Sequence, residues 1–247
     1  MTAVSAYRRP ASLDEALLLL SWPDTVVLAG GTKLNAGQAD GAGPVQVVDL
    51  QALGLDHIEA LGSGRLRAGS MATLQRIARC PALPSVIREA ARREQPSTLR
   101  AQATLGGCVA AREADSELLA ALLAHDVVLG LASAEGTSSK GLAEFLAGPA
   151  LAPGRVITDL TIDTSGVASA ARTARTRADR PIVAAVARIS GTGQRRLALA
   201  GVAATPVLVR GPDWTGALDP PGDFRGSAEY RRALAAILAR RALEAIS

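Results

Sequence analysis

Apolar and polar positions in the first part of the chain follow two spacings, one typical of short helices and one typical of strands. PASLDEALLLL places Glu15 three residues after Ser12, the spacing of an N-terminal capping box, and continues into apolar positions that suit a helix packed on a core. TVVLAG at 25–30 and VQVVDL at 45–50 predict buried strands. Residues 57–70 predict a hairpin, because two short runs flank a Gly-Ser-Gly turn.

The same mixture of spacings continues along the chain. Apolar residues recur at helical spacing over about 73–93 and about 115–124, which predicts helices there. Strands are predicted at 126–132 and 154–162, and a second hairpin is predicted around Gly191-Thr192-Gly193. These elements together predict an α+β fold in two parts.

The C-terminal part contains a segment without periodicity and a long helix. Residues 163–180 are rich in Ala, Ser, Thr and Arg and show little apolar periodicity, so they predict a domain boundary or a mobile connector. SAEYRRALAAILARRALEAI predicts a helix with a core-facing stripe of Tyr230, Leu234, Ile237 and Leu238. Four arginines are expected largely off that stripe: Arg231, Arg232, Arg240 and Arg241.

Composition and charge narrow the class of protein. With 247 residues and 48% hydrophobic content, the chain can bury a sizeable core in one large domain or two smaller ones. Its 27 basic and 23 acidic residues alternate along the chain, so the surplus of four forms no basic block typical of nucleic-acid binding. The N-terminus has no apolar run of signal-peptide or membrane-spanning length, and we expect a cytoplasmic protein without membrane insertion.

Cysteine and histidine usage argues against a metal centre within this chain. Cys80 and Cys108 are the only cysteines, too few for an iron–sulfur cluster or a zinc site. His57 and His125 are the only histidines and lack the HExxH spacing. We therefore predict no metal ligands here, so any metal chemistry would belong to another chain.

Two glycine pairs are the strongest candidates for binding chemistry. LAGGTKL places Gly30 and Gly31 after a predicted strand, and ATLGGCVA places Gly106 and Gly107 after an apolar step. A glycine pair at the end of a strand can turn sharply and expose successive N–H groups, which form an anion-binding concavity. Two converging pairs could hold a diphosphate, although in a chain with 24 glycines each pair is also explained as an ordinary turn.

The order of the motifs resembles a known family. YRRPASLDEALLLL, LAGGTKL, LRAQATLGG, a Ser-acid pair, GRVITDLTI, an Arg-Ala-Asp segment and a terminal SAEYRRALAAILARRAL follow one another as in the FAD-binding medium subunit of molybdenum hydroxylases, the xanthine and carbon monoxide dehydrogenase type. The resemblance runs from about Tyr7 to Leu243. Each motif is loose by itself, whereas their order and spacing are specific.

The resemblance implies that the two glycine loops clasp the diphosphate and adenine half of FAD. The residues implied for this role are Ala29, Gly30, Gly31, Thr32, Lys33, Leu34, Thr104, Leu105, Gly106 and Gly107. Cys108 follows them at a position where the family usually has Asn, and we include it in the site. The family's Ser-Asp pair, near the phosphate and ribityl region, falls on Ser116 and Glu117, and the apolar pair near the flavin ring falls on Val156 and Ile157.

The resemblance also implies the domains and the function. It implies a two-part FAD-binding domain of the PCMH type at 1–165, divided near 50–56, and a smaller C-terminal domain of the carbon monoxide dehydrogenase flavoprotein type at 166–247. The implied partners are a molybdopterin-binding large subunit and a [2Fe–2S] small subunit, with NAD, a quinone or oxygen as electron acceptor. The flavin would carry the redox chemistry, so no catalytic acid–base residue is assigned in this chain.

Two departures from the family pattern leave alternatives open. Cys108 lacks the amide that Asn would supply, and Glu117 moves its carboxylate one methylene further out than Asp. A cofactor-poor assembly subunit that binds FAD weakly or not at all is therefore an alternative. A stand-alone flavin oxidase or reductase is a third possibility, for which the sequence offers no identifiable substrate pocket or general base.

Overall fold

The computed structural model of the chain describes residues 3–33, 43–211 and 213–247. Within these ranges the chain forms twelve strands, eight α-helices and two 3₁₀ helices. The strands are β1 (Val4–Arg8), β2 (Thr25–Leu28), β3 (Val45–Asp49), β4 (Ile58–Gly62), β5 (Arg65–Gly69), β6 (Val128–Ser133), β7 (Gly136–Gly141), β8 (Val156–Asp163), β9 (Val167–Thr173), β10 (Val183–Ile189), β11 (Arg195–Ala200) and β12 (Val207–Leu208).

The helices are distributed between these strands. The α-helices are α1 (Leu13–Leu20), α2 (Leu74–Arg79), α3 (Ser85–Glu94), α4 (Ser97–Arg100), α5 (Leu105–Ala111), α6 (Glu117–Ala124), α7 (Leu142–Ala147) and α8 (Ala228–Glu244), and the 3₁₀ helices are Leu50–Ala52 and Trp214–Ala217. None of the described helices has the length and apolar composition needed to cross a bilayer.

The described strands form three sheets. β1, β3 and β2 make a parallel sheet in that order. An antiparallel sheet of five strands has the order β4-β5-β8-β6-β7, and an antiparallel sheet of four strands has the order β12-β11-β10-β9. This mixture of helices and sheets confirms the predicted α+β class. The predicted domain limits, at 165 and near 50–56, stay predictions.

The parallel sheet packs on α1 and leads into the first glycine pair. The cap predicted for α1 is confirmed, because the Oγ of Ser12 accepts a hydrogen bond from the N–H of Glu15 at 3.2 Å. Leu17 and Leu20 of α1 are buried in a cluster that includes Val48 of β3. This packing fixes the strands of the sheet, and β2 ends two residues before Gly30.

The second glycine pair is held by the largest core cluster. Helix α6 is buried along its whole length because it lies between α3 and the strands β10 and β11. Helix α5, which contains Gly106 and Gly107, packs on β8. A β-bridge between Thr73 and Thr104 joins the start of α2 to the start of α5.

The predicted connector at 163–180 is wrong over its middle part, which forms a strand. Strand β9 occupies Val167–Thr173 and pairs with all seven residues of β10. Its small side chains carry little hydrophobic signal, but they allow α3 and α8 to pack close to the sheet. The irregular connections are residues 164–166, between β8 and β9, and residues 174–182, between β9 and β10.

The predicted core-facing stripe of α8 is also wrong in part. Leu238 is buried as expected, but Tyr230 is 46% exposed and Ile237 is 39% exposed. The buried face instead contains Arg231, at 1% exposure, together with three alanines. The prediction gave most weight to large apolar residues, whereas the face that packs on β10 is formed mainly by alanines. Their small side chains allow the helix to approach the strand closely.

Both terminal nitrogens of the buried Arg231 are paired with neighbouring acceptors. Its Nη1 donates to the carbonyl oxygen of Ile182 at 2.6 Å and to that of Gly201 at 3.2 Å, and its Nη2 lies 2.7 Å from the Oδ1 of Asp223. Two of these bonds tie α8 to the open end of the β10–β11 hairpin, because Ile182 precedes β10 and Gly201 follows β11. Because the charge is paired, its burial is tolerated.

We predict that Arg231→Ala lowers the free energy of unfolding by about 3–5 kcal/mol, because Asp223 and two carbonyl oxygens would lose their partner. Arg240→Ala is the matched control on the same helix, where the side chain is 71% exposed. The control should change the free energy of unfolding by no more than about 0.5 kcal/mol. Denaturant unfolding followed by circular dichroism measures both variants, and equal effects would contradict a structural role for Arg231.

Candidate functional site

The first glycine pair follows the end of β2, and its amides have no acceptor among the residues that the structure describes. Gly31 has a φ of +69°, a left-handed conformation that favours glycine. The backbone N–H groups of Gly30, Gly31 and Thr32 form no hydrogen bond with any other described residue. This segment therefore presents successive donors of the kind that bind anions.

The second glycine pair does not form the open turn that the sequence predicts for both pairs. Gly106 and Gly107 lie in the first turn of α5, whose N-cap is Thr104. Three N–H groups of this turn already have acceptors: that of Leu105 donates to Ala72 O at 2.9 Å, that of Gly106 to Ser70 O at 2.8 Å and that of Gly107 to Thr104 Oγ1 at 3.1 Å. This pair therefore contributes a surface without side chains rather than free amide hydrogens.

The two glycine segments lie in direct contact. A Cβ at Gly30 would overlap the carbonyl oxygen of Gln102 and lie 3.1 Å from the Cα of Ala103, immediately before Thr104. Only a residue without a side chain allows this approach. The segments therefore line the same depression although they are more than 70 residues apart, from Gly30 to Thr104.

Two adjoining cavities open where the segments meet. The loop cavity has an empty volume of about 850 Å³, including open solvent, and is lined by residues 29–33 together with Thr104, Gly107 and Cys108. The apolar cavity has an empty volume of about 390 Å³ and is lined by Ser70, Gly106, Val156 and Ile157, among others. Ala29, Thr104 and Gly107 line both, so the two cavities share a wall.

The structure brings most of the predicted site residues to these cavities. Those at the loop cavity are Ala29, Gly30, Gly31, Thr32, Lys33, Thr104, Gly107 and Cys108, and those at the apolar cavity include Gly106, Val156 and Ile157. Leu105 is fully buried in the core and lines neither cavity. Leu34 lies outside the described residues.

Ser116 and Glu117 lie away from both cavities, in a buried cluster of charged groups. The Oγ of Ser116 donates to Glu94 Oε2 at 2.9 Å and accepts from the N–H of Leu119 at 3.0 Å. The carboxylate of Glu117 lies 3.0 Å from Arg93 and 3.0 Å from Arg172. Their contact with a cofactor stays a prediction, and their contacts in the structure favour a role in holding α6 in place.

Lys33 connects the first glycine segment to the same charged cluster. Its Nζ forms an ion pair with Glu113, which is also paired with Arg180. Burial, and secondarily the positive charge of Arg180, lower the pKa of Lys33. The side chain remains 40% exposed at the rim of the loop cavity, so it can move toward an anion bound there.

Cys108 is an unreactive thiol in this environment. Burial is the main cause that raises its pKa well above the usual range, and the nearby carboxylate of Glu94 acts in the same direction. The nucleophilic thiolate is therefore not populated at neutral pH. This argues for packing rather than redox chemistry at Cys108.

Sequence reasoning missed Ser70, Glu113 and Arg180. Ser70 follows the first hairpin without any motif, and the ion pairs of Arg180 join residues that are distant along the chain. These residues can be recognised only from the three-dimensional structure, because their contacts join distant parts of the chain. Among the described residues, no group of three or more His, Cys, Asp or Glu side chains is placed to hold a metal ion.

Comparison with known proteins gives a consistent result over the chain. A family model described as the FAD binding domain in molybdopterin dehydrogenase matches residues 2–164. The uncharacterized protein YgfM of Escherichia coli (strain K12) is 30% identical, with 95% of this chain and 93% of that protein covered. The nicotine 6-hydroxylase medium subunit of Paenarthrobacter nicotinovorans is 29% identical, with 96% and 95% covered.

Solved structures with the same fold cover the whole chain. Quinoline 2-oxidoreductase from Pseudomonas putida 86 has a chain that matches with a TM-score of 0.88 and 25% identity, covering 100% of this chain and 98% of that chain. Carbon monoxide dehydrogenase from Oligotropha carboxidovorans matches with a TM-score of 0.88 and 24% identity, with the same coverage. At this identity the second likeness shows the fold alone.

We predict that Gly30→Ala lowers the free energy of unfolding by about 1–3 kcal/mol, because the added methyl group must push the Gln102–Ala103 backbone away. Gly141→Ala is the control, since a Cβ at Gly141 would meet no atom within 4 Å. Chemical unfolding of both variants measures the difference. Equal stability of the two variants would contradict the close contact between the glycine segments.

Proposed function

The chain belongs to the family of FAD-binding domains of molybdopterin dehydrogenases, and on this premise we propose that it is the electron-transfer subunit of a molybdenum hydroxylase. It would take electrons from iron–sulfur clusters of a partner and pass them through FAD to an acceptor. The single observation that carries the proposal is the contact between the two glycine segments, which places two cavities side by side with a shared wall.

The residues of this depression fit the chemical parts of FAD. We assign the diphosphate to the first glycine segment, where the N–H groups of Gly30, Gly31 and Thr32 have no described partner and Lys33 supplies a positive charge. Dinucleotides also need an apolar surface for a planar ring. The apolar cavity with Val156 and Ile157 provides such a surface.

The chain's own residues bind and orient the cofactor rather than react. The bound flavin would supply the oxidation–reduction chemistry. Gly30 lets the first glycine segment pack on the Gln102–Ala103 backbone, and Thr104 holds the start of α5 in place by accepting the N–H of Gly107. Cys108, kept as a neutral thiol by burial, gives the loop cavity a small apolar wall.

The partners follow from the family and from the relatives. The nicotine 6-hydroxylase relative is named a medium subunit, and this chain matches 95% of its length. We therefore propose a molybdopterin-binding large subunit and a [2Fe–2S] small subunit as partners. For the acceptor, NAD, a quinone and oxygen all remain candidates.

A cofactor-poor assembly subunit is the second candidate function. It is favoured by the ion pairs that engage Glu117 and by the amide missing at Cys108. Losing one or two polar contacts costs about 0.5–1.5 kcal/mol each, whereas micromolar binding corresponds to roughly 8 kcal/mol. The fit of the two cavities therefore favours retained FAD binding over its loss.

The visible absorption spectrum of the purified chain, with identification of the released cofactor after denaturation, distinguishes these functions. The proposal expects a flavin spectrum and about one FAD per polypeptide after reconstitution. A colourless chain that does not take up FAD but still co-purifies with the two partner subunits would support the assembly subunit instead. Flavin reduction by the reduced iron–sulfur partner would then test electron transfer directly.

We predict that Lys33→Ala weakens FAD binding about 3- to 10-fold, between the effect of losing an exposed ion pair and that of losing a charge-assisted hydrogen bond. Lys140→Ala is a matched control, because these are the only two lysines and Lys140 pairs with Glu144 away from the cavities. Titration followed by flavin fluorescence measures both dissociation constants. Equal affinities of the two variants would contradict the placement of the diphosphate at the first glycine segment.

A further inference from the structure

Ser70 is held in a fixed position between the two parts of the candidate site. Its N–H donates to Thr158 O at 2.9 Å, next to Ile157 on β8, and its carbonyl oxygen accepts the N–H of Gly106 at 2.8 Å. A Cβ at Gly106 would lie 2.6 Å from the Cβ of Ser70, so the second glycine pair packs directly on this residue. The backbone of Ser70 is therefore anchored on both sides.

The hydroxyl group of Ser70 is buried without a partner. The residue is 3% exposed, and its Oγ forms no hydrogen bond with any described residue. A buried hydroxyl in this state costs free energy that a hydrogen bond would recover. The hydroxyl therefore has unused capacity both to donate and to accept.

The surroundings of this hydroxyl are those of a binding pocket. Ser70 lines the apolar cavity, where its neighbours on the wall include Leu50, Met71, Val156 and Ile157. Pockets for planar ligands combine an apolar lining with a few polar groups that fix the orientation. Ser70 and Thr104 are the hydroxyl-bearing residues of this lining, and the Oγ1 of Thr104 already accepts the N–H of Gly107.

We propose that Ser70 is a cofactor-binding residue whose hydroxyl forms a hydrogen bond with the polar edge of a nitrogen heterocycle of FAD. This inference rests on the proposed function, because it takes FAD as the occupant of the apolar cavity. Adenine and isoalloxazine both carry ring nitrogens that suit a hydroxyl. Ser70 would select the orientation of whichever ring enters the cavity, while Val156 and Ile157 supply the apolar contact.

The test compares Ser70→Ala with the wild-type chain in two measurements. The affinity for FAD should fall about 2- to 12-fold, the range expected for one hydrogen bond. The stability of the cofactor-free chain should stay equal or rise, because the variant removes an unpartnered buried hydroxyl. Fluorescence titration and denaturant unfolding give these two quantities.

Ser190→Ala is the matched control. Ser190 is also a buried serine, but its Oγ accepts the N–H of Gln194 at 3.0 Å in the second hairpin, away from the cavities. This variant should lower the stability of the cofactor-free chain and leave the affinity for FAD unchanged. The two serine variants should therefore show opposite patterns.

Titrations with ADP and with FMN identify which ring meets Ser70. A loss of affinity for ADP in Ser70→Ala assigns adenine, and a loss for FMN assigns isoalloxazine. If the wild-type chain binds FAD and Ser70→Ala binds all three ligands equally well, the inference is overturned while the proposed function stands. If the wild-type chain binds no FAD, the proposed function fails and this inference fails with it.

Discussion

The backbone of Gly30 lies against the carbonyl group of Gln102, and the geometry of the candidate site depends on this contact. It joins the end of a strand in the parallel sheet to the segment that precedes α5. Neither segment could approach so closely with a side chain at Gly30. The packing of α1 on the parallel sheet and of α5 on β8 sets the positions of the two segments, so the core determines the shape of both cavities.

The two glycine pairs serve this site in different ways. The first pair offers amide hydrogens that no described residue accepts, whereas the amides of Gly106 and Gly107 donate to Ser70 O and Thr104 Oγ1. The absence of side chains is what the second pair contributes. Around the site, arginines from the C-terminal part pair with acidic groups near α5 and α6, as Arg172 does with Glu117 and Arg180 with Glu113. The ion pair between Lys33 and Glu113 joins the first glycine segment to this network.

Local sequence patterns predicted where helices and strands lie better than they predicted which residues those elements bury. The cap at Ser12 and both hairpins could be predicted, because capping geometry and turn residues act within a few positions of the chain. Strand β9 could not, since its small residues gain their order from pairing with β10. The burial of Arg231 depends on acceptors from distant segments, and no periodicity carries that information. The glycine motif pointed to residues of the loop cavity because they are adjacent in sequence. Ser70 was missed because only contacts with distant residues bring it to the site.

The central claim is that the first glycine segment donates backbone N–H groups to a cofactor site that the second glycine segment also lines. Hydrogen–deuterium exchange with and without FAD tests this claim most directly. The account predicts slower exchange over residues 30–33 when FAD is saturating. It predicts little change over residues 105–107, because those amides are already bonded within the protein. Unchanged exchange over residues 30–33 at saturating FAD would contradict the account.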